Sequence, residues 1–97
     1  MKFKDFLDTI KNEEPPNELN DYLKALWYDK KGNWEKAHSS ILILTDSKAD
    51  WLHAYLHRKE GDLNNASYWY RKANRSKPAI PLDEEWHNLV KYFLGNE

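Results

Sequence analysis

An all-α fold of about six antiparallel helices follows from three features of this sequence. Apolar residues recur at three- and four-residue spacing in separate segments along the whole chain. Helix-stopping and helix-capping residues stand between those segments, at Glu13-Glu14-Pro15-Pro16, Gly32-Asn33, Asp46-Ser47, Gly61-Asp62 and Pro78 to Pro81. An ungapped shift of 29 residues lays one pair of segments over the next.

The elements follow in order. Phe3, Phe6, Leu7 and Ile10 predict a short amphipathic helix from about Lys2 to Asn12, ended by the two prolines, which disfavour helical backbone in the residue before each. Asn17 is the expected cap of a second helix, with Leu19, Tyr22, Leu23, Leu26 and Trp27 on its apolar face. Lys30 and Lys31 suit its C-terminal end, and Gly32 supplies a left-handed stop. Asn33 caps a third helix carrying Trp34, Ala37, Ile41 and Leu44; its β-branched stretch around Ile41-Leu42-Ile43-Leu44 is expected to stay helical. Ser47 with Asp50 resembles a capping arrangement for a fourth helix running to Glu60. Asp62 caps a fifth, with Leu63, Ala66, Tyr70 and Ala73 aligned on the core side. Asp83, Glu84 and Glu85 load the first turn of a sixth, complementing the helix dipole, and Trp86, Leu89, Val90 and Phe93 face inward.

The repeat sets the organisation. Under the shift Leu23 falls on Leu52, Ala25 on Ala54, Lys30 on Lys59, Gly32 on Gly61 and Ala37 on Ala66. The small residues let paired helices approach closely. The chain therefore reads as a single domain over 1–97. It has a flanking helix and proline linker (1–16), two helical hairpins (17–47 and 48–78) and a C-terminal capping helix (79–97).

The second hairpin resembles a tetratricopeptide repeat through Ala54, Gly61-Asp62, Ala66, Tyr70, Ala73 and Pro78. The first is similar through Ala25, Tyr28, Gly32, Ala37 and Ile41, without the closing proline. The resemblance covers about 17–78 and implies protein or peptide binding in a helical groove. The run HAYLHRKEGD…YWYRKA is also similar to one in small uncharacterised bacterial proteins, from which no activity carries over.

Composition excludes several classes. Without cysteine the chain has no disulfide, thiolate nucleophile or zinc-thiolate site. No run approaches the ~20 apolar residues of a membrane span, and the N-terminus is charged throughout, so a cytoplasmic location is expected. A net charge of −1 supplies no field for nucleic acid. Five Trp and six Tyr compensate for small size, since each aromatic ring removes roughly 150–250 Å² from water.

Two clusters stand out. On the fourth helix His53, His57 and Glu60 share a side opposite Trp51, Leu52, Tyr55 and Leu56, with Asp50 beside them. Histidines four residues apart can reach one metal, yet no Glu follows His53 as the metalloprotease pattern requires. The corresponding first-hairpin residues are Lys24, Tyr28 and Lys31, so the repeat does not demand the cluster. It is expected to be polar helix surface or rings bonded between helices, with neither metal nor cofactor. On the fifth helix Tyr68 is expected to point among Arg71, Lys72 and Arg75, a set suited to an anion or a base, or simply a solvated cationic face. His38 and His87 read as surface or packing residues.

The expected function is a non-enzymatic protein- or peptide-binding module. Its groove would be lined by Tyr22, Leu26, Trp51, Tyr55 and Arg58, with Tyr68, Arg71 and Arg75 as further contacts. The alternative is a small-molecule or metal-binding protein, enzymatic or not, using His53, His57 and Glu60. Nucleic-acid binding through Arg71, Lys72, Arg75 and Lys77 is the weakest reading.

Overall fold

A computed structural model describes residues 1–95, and among these it contains six helices and no strand. They are α1 (Phe3–Thr9), α2 (Asp21–Lys30), α3 (Trp34–Ile41), α4 (Ser47–Glu60), α5 (Leu63–Lys72) and α6 (Leu82–Leu94). Asn96 and Glu97, the end of the expected capping unit, lie outside the described residues.

The same corner is built twice. Gly32 and Gly61 take left-handed backbone, with φ of +85° and +91°. Each lets the next residue's N–H return to the carbonyl five residues back, Asn33 to Tyr28 at 2.9 Å and Asp62 to His57 at 3.0 Å. Asn33 and Asp62 then cap α3 and α5 by accepting the N–H of Lys36 and Asn65. The corners fold α2 on α3 and α4 on α5, as the 29-residue register requires. Ala25, Ala37, Ala54 and Ala66 are fully buried where these helices cross. Ala66→Leu is therefore expected to overpack the α4–α5 crossing and cost about 1–3 kcal/mol; an unchanged thermal melt would refute this register.

Four boundaries and one core residue differ from expectation. Helix α1 stops at Thr9, whose carbonyl accepts Trp27 Nε1, and Lys31 Nζ then holds the Ile10 and Asn12 carbonyls of the turn that follows. Asn20, not Asn17, caps α2 by accepting Leu23 N–H at 2.9 Å; the preceding residues form a turn closed by Leu19 N to Pro16 O. Helix α3 ends at Ile41, because the chain needs the next residues to turn into α4, and Ile43 is left 82% exposed. Asp46, not Ser47, caps α4; one carboxylate oxygen accepts Ala49 N–H while the other accepts the Tyr22 hydroxyl, tying the corner to α2. Leu63 is half exposed, since it begins α5 at the overhanging end of the hairpin.

Helix α4 is the centre of the molecule, buried continuously from Ala49 to Tyr55 and on through Leu56 and His57. Helices α3, α5 and α6 pack around it, and α1 lies against α6. One apolar core runs from Phe6 through Leu26, Leu52 and Tyr70 to Val90. Two buried carboxylates brace α4. Asp29 accepts the Tyr55 hydroxyl at 2.6 Å and Lys59 Nζ at 2.8 Å. Glu85 accepts Trp51 Nε1, the Tyr70 hydroxyl and Arg58 Nη1. Burial, followed by these carboxylates, pushes both tyrosine hydroxyls well above their usual range. Among the described residues no helix is long and apolar enough to cross a membrane.

Candidate functional site

The expected groove is occupied by helix α6 of the same chain. Helix α6 lies across α2 and α4. Trp86 Nε1 donates to Leu26 O at 3.0 Å, Phe93 stacks on Tyr22 at 4.5 Å, and Tyr92 meets Trp51 edge-on. Leu26 and Tyr55 are consequently core residues with no surface for a partner, and Trp51 is nearly so. Arg58 is committed to Glu85 and to the Ile80 carbonyl. Of the three groove aromatics, Tyr22 and Trp51 meet α6, and Tyr55 gives its hydroxyl to Asp29 of α2.

The cationic face is also rearranged. Arg75 lays its guanidinium 3.5 Å from the centroid of the Trp51 ring. Arg71 and Arg75 share a shallow cleft with Ser67 and Tyr70, and Tyr68 does not line it. Tyr68 stands 49% exposed against the edge of Trp69. A second cleft of about 330 Å³, between Trp51, Arg75, Ile80 and Tyr92, ends on Glu85, whose oxygens are already filled by internal donors. Neither cleft contains a buried polar group in need of a partner.

The histidine face of α4 is different. It is not polar surface: His53 and His57 are only 4% and 7% exposed, because α3 and α5 close over them. The Trp69 indole of α5 stacks on His53 at 4.2 Å, nearly parallel. From α3, the Trp34 indole stacks on His38 at 4.8 Å, and His38 meets His53 and His57 edge-on at 5.1 and 5.2 Å. His38, His53 and His57 thus converge, each offering one nitrogen within 4.8 Å of the others'. The reading of His38 as a surface or packing residue misses this, since only the packing of α3 on α4 brings it in. His87, stacked on Phe3 at 4.0 Å, is a packing residue as expected.

Protonation follows from the surroundings. His57 Nδ1 lies 2.7 Å from Glu60 Oε1; a carboxylate only accepts, so Nδ1 donates. Burial, then the neighbouring His38 and His57, hold His53 down to about 4. Burial and His57 likewise lower His38. At neutral pH these two rings are uncharged and each retains a nitrogen lone pair. Buried His53 Nδ1 has no hydrogen-bond partner among the described residues. A buried polar atom so placed costs roughly 1–3 kcal/mol, which a ligand can recover.

The rings floor a cleft of about 430 Å³ between the two hairpins, walled by Leu42, Leu44 and Trp69, with Asp50, Asn65 and Lys72 adding polar groups. An apolar-walled cleft with a few converging polar atoms is the usual form of a small-ligand seat. The structure therefore joins His53 and His57 from the expected pocket, with Asp50 beside them as expected, keeps Glu60 as the partner of His57, and adds His38. Sequence reasoning also missed Glu85, assigned to the helix dipole: it lies 2% exposed on the inward stripe with Trp86 and Leu89. That stripe, at i, i+1 and i+4, was the available signal. Comparison with known protein families, characterised proteins and solved structures finds no match to this chain.

Proposed function

We propose that this chain is a binding module built on two short hairpins of tetratricopeptide type, whose ligand seat is the histidine cleft and not the face of α2 and α4. The paired glycine corners and the buried alanine crossings support the hairpin reading. The observation that carries the seat is His53, which lines the cleft and whose Nδ1 is buried without a hydrogen-bond partner. The face expected to hold a peptide is filled by α6, so a peptide there would have to displace Trp86, Leu89 and Val90 from the core. A small ligand entering the cleft displaces nothing.

Fragment binding tests this directly. Small amides, alcohols and amines, screened in the presence of EDTA by two-dimensional amide NMR, are expected to shift the Leu42, Asn65 and Trp69 signals, the Trp69 indole included. Shifts confined to Trp51, Arg75 and Tyr92 would move the seat to the other cleft, and the absence of any binder would remove it.

A further inference from the structure

We infer that the histidine cleft is a transition-metal site, in which His38, His53 and His57 supply three imidazole ligands to one divalent ion of the zinc, cobalt or nickel class. The inference rests on the cleft being the ligand seat and names what sits there.

Four observations converge on it. The three rings come from two helices and place one nitrogen each within 4.8 Å of the others. Zinc–imidazole bonds of ~2.0–2.1 Å in a tetrahedral site would bring those nitrogens to ~3.4 Å, so a pair at the 4.8 Å limit must close by roughly 1.4 Å. Two of the rings are already aligned by stacking, His38 on the Trp34 indole and His53 on the Trp69 indole. His57 donates Nδ1–H to Glu60, the carboxylate–histidine arrangement that fixes the tautomer and leaves the other nitrogen to bind metal. His53 Nδ1 is buried and unpartnered, which a purely structural ring on this helix does not explain.

The hairpin does not require these residues either. Their counterparts one repeat away are Lys24 and Tyr28 for His53 and His57, and Ser67 for His38. The first hairpin folds the same corner with Lys24 and Tyr28 where the second has His53 and His57.

The donor set selects the metal. Three imidazoles without a thiolate favour borderline ions over calcium and magnesium, which want oxygen ligands. With only three protein ligands, and a cleft opening past Leu42 and Lys72, the fourth position is left for water or a small exogenous ligand.

Cobalt(II) is the probe, titrated into the untagged, EDTA-stripped chain. One equivalent is expected to bind, with the intense visible bands of a four- or five-coordinate ion, and zinc should displace it. Ring resonances of His38, His53 and His57 should be the most broadened by cobalt, a readout that needs no variant. His38→Ala, on the half-buried ring at the edge of the cluster, should fold and lose affinity by roughly 100-fold or more. Glu60→Gln should lose roughly 10–100-fold. His57, Glu60 and Asp62 form a second, more exposed group of possible ligands, so Asp62→Asn is included and is expected to bind cobalt as the wild type does. No stoichiometric binding, binding that survives His38→Ala, or binding lost in Asp62→Asn would each overturn the assignment. If cobalt fails while metal-free fragments still map to the cleft, the metal falls and the cleft remains. If both fail, the cleft falls with it.

Discussion

Glu85→Ala is expected to destabilise the protein by about 3–5 kcal/mol, the usual range for breaking a buried, hydrogen-bonded ion pair from one side. Glu85 is 2% exposed and joins three elements: Trp51 and Arg58 of α4, Tyr70 of α5, and its own helix α6. Alanine leaves the Arg58 guanidinium facing a void, together with an indole N–H and a tyrosine hydroxyl that water reaches poorly. Arg58 also holds the Ile80 carbonyl, so the loop before α6 is expected to loosen with it. Glu85→Gln keeps the volume and one acceptor oxygen but sets an amide against a cation, and should fall between wild type and alanine. Urea denaturation of the three proteins measures the order. A loss below about 1 kcal/mol for Glu85→Ala would mean the network adds no more to stability than a surface ion pair does.

Why Glu85 was hidden, while Gly61-Asp62 was plain, shows where a sequence stops being readable. The two glycine corners depend on four or five consecutive residues: a left-handed glycine, a capping Asn or Asp, and a small residue four positions beyond the cap. Such local chemistry fixes α2 to α5 without knowledge of the rest. The errors at Asn17 and Ser47 are competitions with nearby capping residues, Asn20 and Asp46, decided by the Pro16 turn and by the Tyr22–Asp46 contact across 24 positions. Leu26, Tyr55 and Arg58 were read as lining a partner groove, yet Leu26 and Tyr55 are buried, the Leu26 carbonyl and Arg58 are taken by Trp86 and Glu85 of α6, and Tyr55 by Asp29 of α2. Nothing local to α2 or α4 announces α6. The site divides the same way. His53, His57 and Glu60 lie on one helix face and follow from spacing, whereas His38 joins them only through the packing of α3 against α4. Glu85 was read by the commonest rule for acids at a helix start, and that rule holds for its neighbours Asp83 and Glu84, which are exposed.

Acidification is expected to weaken the metal-free fold between about pH 6.5 and pH 4, chiefly through His53. In the unfolded chain a histidine titrates near ~6.5. In the folded chain burial, then His38 and His57, hold His53 down to about 4, with the Ile41 backbone opposing and Lys72 of α5 adding to the effect. His38 is lowered in the same direction by burial and by His57, with Glu60 opposing. Above pH 6.5 both states carry a neutral ring and no stability depends on it. Below 6.5 the unfolded chain binds the proton first, so stability falls as pH falls, until the folded ring titrates too near pH 4. The difference between ~6.5 and about 4 converts to roughly 3 kcal/mol at full extent for His53 alone. Chemical denaturation of wild type and His53→Gln, both in EDTA, at pH 7.5, 6, 5 and 4 isolates the term, because titration of the remaining groups is common to the two. The wild type should lose stability more steeply, so that the gap between the proteins narrows or reverses by pH 4. Parallel curves would show that His53 is not held neutral by the fold. Wild-type stability rising on acidification relative to His53→Gln would mean that the cleft instead favours the charged ring, and that Asp50, lining the same cleft, outweighs burial.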